Sequence, residues 1–279
     1  MPDWRRVRRG ADGAGRSVLS AAAATLAASV AVASPVACAQ TTSDEAAWTE
    51  LFNGRDLTGW TPKLRGSQLG VDSARTFRVE DGLLTVSYEG YESFGNRFGH
   101  LFFEQPFSRY RLLVEYRFVG EQAPGGEAWA FKNSGVMLHA QAPASMLSGQ
   151  DFPISLEAQF LGGNGSDARP TANLCTPGTH AEIDGSLVER HCIESSSRTY
   201  HGDEWVTFEA VVLGDSLITH IVDGDTVMTY GRPVVGGGVV NGFDPRAKPD
   251  GARLTEGYIA LQSESHPIQF RRVALQRLD

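Results

Sequence analysis

Tyr110-Arg111-Leu112-Leu113-Val114-Glu115-Tyr116-Arg117-Phe118 decides the fold class. Tyr110, Leu112, Val114, Tyr116 and Phe118 recur at period two, while Arg111, Glu115 and Arg117 take the other parity. Successive side chains of a strand point to opposite faces, so this is a long strand with one face on a core. Shorter apolar runs occur at Phe77–Val79, Leu83–Tyr88, His100–Phe103, Gly135–His139 and Ile154–Phe160. Others follow at Trp205–Leu213, Leu217–Val222, Thr226–Tyr230, Tyr258–Gln262 and Ile268–Leu278. Asp81-Gly82, Asp184-Gly185 and Asp223-Gly224 sit between such runs, a strong hairpin signal. No long helical periodicity and no internal repeat interrupts the pattern. Many strands with this punctuation predict an all-β sandwich or barrel.

The last run contains a break in rhythm. Ile268 and Phe270 share one phase; Val273 and Leu275 take the other. A bulge at Arg271-Arg272 reconciles them. Four stretches, Ser93–Gly99, Gly120–Asn133, Gly162–Thr179 and Gly231–Arg253, are rich in Gly, Pro and polar residues. Loops of this length in a compact domain are usually functional or disordered. None reads as a linker, so the region from 48 to 279 is expected to be one domain.

The N-terminus reads as a targeting segment. Arg5, Arg6, Arg8, Arg9 and Arg16 precede an Ala-rich, uncharged stretch, which ends in Ala37-Cys38-Ala39. A basic region, an apolar region and A-x-A form a secretory signal, here residues 1–39, cleaved before Gln40. The apolar stretch is short for a spanning helix. Arg5-Arg6 also admits a twin-arginine signal, and Pro35 argues against lipidation of Cys38. Residues 40–47 are expected to be a disordered leader, and the product a periplasmic or secreted protein without membrane attachment.

Cleavage leaves 240 residues. Without the five Arg and two Asp of residues 1–39, 20 basic and 31 acidic residues remain, a net charge of −11. Such an acidic chain disfavours nucleic acid as a partner. Two cysteines remain, Cys175 and Cys192, and an oxidising compartment predicts that they are bridged.

Strand parity locates polar residues. In Asn133-Ser134-Gly135-Val136-Met137-Leu138-His139, Val136 and Leu138 face the core. Asn133, Gly135, Met137 and His139 take the other face. In Ile154-Ser155-Leu156-Glu157-Ala158-Gln159-Phe160, Ser155, Glu157 and Gln159 oppose the apolar set. If the two strands are neighbours, His139, Glu157 and Gln159 line one polar patch, suited to sugar hydroxyls; an ordinary solvated sheet face is the plainer reading. His180, Glu182 and Asp184 share a parity that is compatible with a divalent metal, or equally with a simple hairpin arm. No other cofactor is indicated. His201 and His266 lie in polar loops, where catalytic residues are common. His100, His191 and His220 have no informative surroundings in sequence. The chain lacks G-x-S-x-G, H-E-x-x-H, a phosphate loop and a dinucleotide fingerprint. It also lacks a strand bearing the close glutamate pair of β-sandwich glucanases.

Leu51-Phe52-Asn53-Gly54-Arg55-Asp56-Leu57-Thr58-Gly59-Trp60 resembles the opening of the 3-keto-disaccharide hydrolase family. The resemblance continues through Asn133-Ser134-Gly135-Val136, Glu157-Ala158-Gln159 and Trp205. It ends at Gly257-Tyr258-Ile259-Ala260-Leu261-Gln262 and Phe270-Arg271. It implies a concanavalin-like jelly roll acting on glycosides oxidised at C3. A C3 ketone acidifies the C2 proton, so a base removes it and the glycosidic oxygen leaves by β-elimination; water then adds back. One base, one acid and a group polarising the ketone suffice. On this resemblance Glu157 or His139 is the expected base or acid. Asn133, Gln159, Arg271, His201 and His266 are expected to contact the substrate. Arg272 replaces the Asn that usually follows the terminal Phe-Arg, and Gly231–Arg253 is an extended loop. The competing readings are a non-catalytic carbohydrate-binding module on the same fold and a conventional glucanase with two carboxylates across a cleft.

Overall fold

The computed structural model describes residues 47–279. The expected signal segment, 1–39, and all but the last residue of the expected leader, 40–47, lie outside the described residues. In chain order the strands are β1 (Thr49–Glu50), β2 (Trp60–Leu64), β3 (Phe77–Glu80), β4 (Leu83–Val86), β5 (Gly99–Phe103), β6 (Arg109–Phe118), β7 (Asn133–Ala140), β8 (Leu156–Leu161) and β9 (Asn173–Cys175). They continue with β10 (Thr179–Ile183), β11 (Ser186–Val188), β12 (Cys192–Ile193), β13 (Val206–Leu213), β14 (Ile218–Val222), β15 (Asp225–Val235), β16 (Tyr258–Ser263) and β17 (Ile268–Arg277).

They form two antiparallel sheets, a jelly roll. One runs β11-β10-β15-β14-β13-β6-β17-β4-β3, with β1 alongside β17; the other runs β12-β9-β8-β7-β16-β5-β2. The alternation in Arg109–Phe118 takes effect at the centre of the first sheet, where β6 pairs with β13 and β17. Its apolar face meets Val136, Leu138, Leu156, Ala158, Phe160, Ile259 and Leu261 of the second sheet in a single core. Tyr116 stacks on Phe160 across the sandwich, with ring centroids 4.0 Å apart and an interplanar angle of 9°. The predicted irregularity in the last strand is present: the register of β17 on β6 slips between Phe270 and Arg272. Each Asp-Gly turn puts both residues at positive φ, for example 49° at Asp223 and 93° at Gly224. That is the backbone a tight hairpin of matching twist requires.

Two strands escape a reading by alternation. β2 contains Pro62 and lies at the edge of its sheet, where a missing amide costs least. β15 continues through Pro233 to Val235, which claims the start of the expected Gly231–Arg253 loop.

The outer face of the second sheet, turned away from the core, is covered at both ends. Phe102, Met137, Ala140, Met146 and Ala260 form one apolar cap. Ile154, Val235, Val240 and Leu254 form the other. What remains open between them is the site.

Candidate functional site

A cavity of about 380 Å³ lies on this outer face. Its floor takes Asn133 from β7, Glu157, Gln159 and Leu161 from β8, Cys175 from β9 and Glu264 just beyond β16. The strands bring these together because β7 and β8 are direct neighbours, with Asn133 opposite Leu161, Gly135 opposite Gln159 and Met137 opposite Glu157. Parity then does the rest: alternate residues Ala158 and Phe160 enter the core, and Glu157 and Gln159 face out. The rim comes from the long irregular stretches, with Trp129, Phe152, Arg169, His191 and Val239.

Glu157 is buried, and burial pushes its carboxyl up to about pKa 8. Glu264 is also buried. Burial first, and then the negative charge of Glu157, hold its pKa well above the usual carboxylate range. Two like charges in a desolvated site disfavour joint ionisation. Both carboxyls therefore hold their protons to a higher pH than ordinary glutamates, and once one has ionised its charge holds the proton on the other. Glu264 Oε2 and Asn133 Oδ1 have no hydrogen-bond partner among the described residues. Gln159 Oε1 accepts from Asn173 Nδ2 at 3.0 Å, which fixes the amide's orientation.

The polar floor continues sideways. Gln262 of β16 pairs with His100 of β5, and His100 pairs with Lys63 of β2. All three are buried. Lys63 Nζ donates to the carbonyls of Leu64 and Ser67, at 3.2 and 3.3 Å. Burial, and secondarily Lys63, lower the His100 pKa to about 3, so its imidazole is neutral. Phe152, on the cavity wall, meets His100 edge-on at 6.0 Å.

Arg169 is the cation of the rim. Its Nη2 donates to the Phe131 carbonyl at 2.6 Å. Trp129 is 53% exposed and stacks on Phe98 at 6.1 Å and 22°. It presents a free aromatic face at the mouth, the geometry that packs against the apolar face of a sugar ring.

Several expected site residues lie elsewhere. His139 does not face the cavity. β7 bulges against β16, the register slipping between Tyr258 opposite Ala140 and Ala260 opposite Met137. Met137 and Ala140 share the outer face as a result, and His139, at φ 50°, turns inward. Its Nε2 bonds the Gly214 carbonyl at 2.9 Å, and Tyr110 lies edge-on at 6.4 Å. The backbone of Gly257 packs against the bulge so closely that no Cβ fits there.

Arg271 lies on the outside of the opposite sheet. It pairs with Glu115 at 2.7 Å and covers the Trp205 ring at 4.7 Å, with Arg117 at 4.7 Å from the same ring. The bulge that reconciles β17's two phases is what exposes it. His201 is an exposed loop residue whose amide donates to Glu204 Oε1, with its ring against Gly163, away from the cavity lining. His266 is buried between Phe118 and Phe131, ring centroids 5.7 and 5.0 Å away, behind the rim. Burial, then Lys132 and Arg169, lower its pKa to about 4.

Cys175 and Cys192 are bridged, as compartment chemistry predicts. The His180–Glu182–Asp184 arm is a hairpin: Glu182 pairs with Arg232 at 3.4 Å and Asp184 occupies the turn at φ 51°. Among the described residues, Cys175, His191 and Cys192 bring three metal-ligating atoms within 4.8 Å of one another. Their two sulfurs are bonded to each other and are not available to a metal.

Residues 47–276 match the family described as the 3-keto-alpha-glucoside-1,2-lyase-like domain. No curated protein matches the sequence. Two solved structures from Parabacteroides distasonis, both described as candidate glycosyl hydrolases, are similar in fold. One has TM-score 0.49 and 19% identity, covering 83% of this chain and 94% of that one. The other has TM-score 0.50 and 15% identity, covering 83% and 100%. A β-glucanase of Bacillus licheniformis has TM-score 0.45 and 12% identity, covering 85% and 100%.

Proposed function

Because the chain belongs to the 3-keto-alpha-glucoside-1,2-lyase-like family, we propose that it is a carbohydrate-active enzyme that cleaves glycosides oxidised at C3 by elimination and rehydration. The observation that carries this reading is the buried Glu157–Glu264 pair at the floor of the cavity. Elimination needs one base and one acid on a desolvated site, and the carboxyl pair holds both in its singly ionised form, where one member has lost its proton and the other keeps its own. The ionised member takes the C2 proton, and the electron pair passes to the C3 oxygen as an enolate. Arg169 supplies positive charge at the rim for that oxygen. The C1–O bond then breaks, and the departing oxygen takes the proton of the other carboxyl. Water adds at C1 and a proton returns to C2, so the net change is hydrolysis. Gln159 and Asn133 offer amides for sugar hydroxyls, and Trp129 offers a stacking face.

An exported location, periplasmic or secreted, fits this reading, since a bridge such as Cys175–Cys192 persists in oxidising surroundings.

The test compares a 3-keto-glucoside with its unoxidised parent, following release of the leaving group. Turnover of the keto compound alone, lost in Glu157→Gln and in Glu264→Gln, is expected. Turnover of the parent would instead make the carboxyl pair that of an ordinary glycosidase. Saturable binding of both without turnover would favour a binding module, the reading to which the exposed Trp129 ring lends support.

A further inference from the structure

His191 had no informative surroundings in sequence, yet its side chain lines the cavity. Its position is fixed from two directions. The backbone carbonyl of His191 accepts from Thr176 N at 2.8 Å and from Thr176 Oγ1 at 3.2 Å. The next residue, Cys192, is bonded to Cys175 and is also its strand partner. Cys175 in turn is the strand partner of Glu157. Glu157, Cys175 and Cys192 thus form one row across β8, β9 and β12, with His191 beside its end. A ring nitrogen of His191 lies within 4.8 Å of both sulfurs.

β12 has only two residues and forms the edge of its sheet. So short an edge has little pairing of its own to hold it. The chain between Cys175 and Cys192 runs out through the β10–β11 hairpin of the other sheet, so the bridge is the covalent link that ties His191 to the row bearing Glu157. His191 Nδ1 is buried and has no hydrogen-bond partner among the described residues. A buried, unpaired ring nitrogen is costly unless something polar meets it.

We infer that His191 is a further substrate-contacting residue, its imidazole taking a sugar hydroxyl, and that the Cys175–Cys192 bridge is its positioning device. This rests on the proposed reading of the cavity as a sugar site. Burial holds the His191 pKa below its ordinary value, against the pull of the Thr176 backbone, in keeping with a neutral ring that both donates and accepts. The bridge accordingly has two effects: it closes a chain loop, and it delivers one side chain to the cavity.

The test uses the full mature protein with histidines isotopically labelled, the His191 resonance being assigned by its loss in His191→Gln. Methyl α-glucoside oxidised at C3 is titrated in while calorimetry registers binding, all proteins carrying Glu157→Gln so that the sugar is bound and not cleaved. The expected result is a saturating shift of the His191 resonance, and affinity lowered about tenfold in His191→Gln. The paired Cys175→Ser/Cys192→Ser variant is expected to lose the same affinity, with little further loss when His191→Gln is added. Such non-additivity is the signature of one residue acting through the other. A thermal melt confirms that each variant is folded at the temperature of the titration. Where the Cys variant is not, the His191 shift and the His191→Gln affinity alone decide. Binding that leaves the His191 resonance unmoved, or losses that simply multiply, would overturn the inference while leaving the proposed function standing. No binding at all would overturn both.

Discussion

Glu157 lays its carboxyl over the backbone of Gly135 on the neighbouring strand. A Cβ at Gly135 would lie 2.7 Å from Glu157 Oε1 and 2.9 Å from its Cγ. The glycine is thus the space into which the acid folds. Gly135→Ala is expected to push Glu157 out of place, at a stability cost of about 1–3 kcal/mol from overpacking. Turnover is expected to fall more steeply than that, by about 10²-fold, because misplacing a reacting group by about 1 Å costs that much. Kinetics alongside a denaturation curve check the pair of effects.

The buried carboxyls also predict a pH dependence with a definite sign. In the unfolded chain a glutamate ionises near 4.5, whereas folded Glu157 holds its proton to about 8. Across that window the folded state binds more protons than the unfolded one, so stability falls as pH rises. Glu264 contributes in the same direction. Glu157→Gln removes the titration. Its Tm relative to wild type is expected to rise steadily from about pH 5 to about pH 8. A difference that stays flat would show that Glu157 ionises normally.

Much of this cavity can be read from strand parity, and the exceptions have physical causes. Glu157, Gln159 and Asn133 face outward together because β7 and β8 keep strict alternation up to Met137. His139 departs from it because the bulge against β16 inserts one residue, and that slip depends on Gly257, which lies far away in sequence. Glu264 was legible in principle: Ala260, Gln262 and Glu264 share a parity, and the alternation runs one residue past the end of the strand. Trp129, Arg169 and Val239 have no periodicity to expose them. The long loops that carry them stand out in the sequence as functional or disordered stretches, but which residue reaches the rim is a matter of tertiary packing.

Trp129 should matter for binding and little for folding. Its ring is 53% exposed and its main contact is the stack on Phe98. Trp129→Ala is expected to weaken sugar binding about tenfold, or about 1.4 kcal/mol, and to change stability by no more than about 0.5 kcal/mol. Calorimetric titration and a thermal melt separate the two.

The bridge carries stability as well as geometry. Cys175 and Cys192 are 17 residues apart, and closing such a loop is worth about 3 kcal/mol in the chain-entropy account. Replacing both with Ala is expected to lower unfolding stability by about that amount in urea titration.

The most direct test of the central claim follows the C2 hydrogen. A 3-keto-glycoside carrying deuterium at C2 is turned over in ordinary water, and the released sugar is analysed early, against the washout measured without enzyme. Elimination at the Glu157–Glu264 floor predicts that each cleavage exchanges the label for solvent hydrogen. A released sugar that keeps its deuterium, with cleavage no slower than for the unlabelled compound, would mean that the C2–H bond is never broken, and would contradict the account; retention with slowed cleavage would mean that the buried base returns the same deuteron.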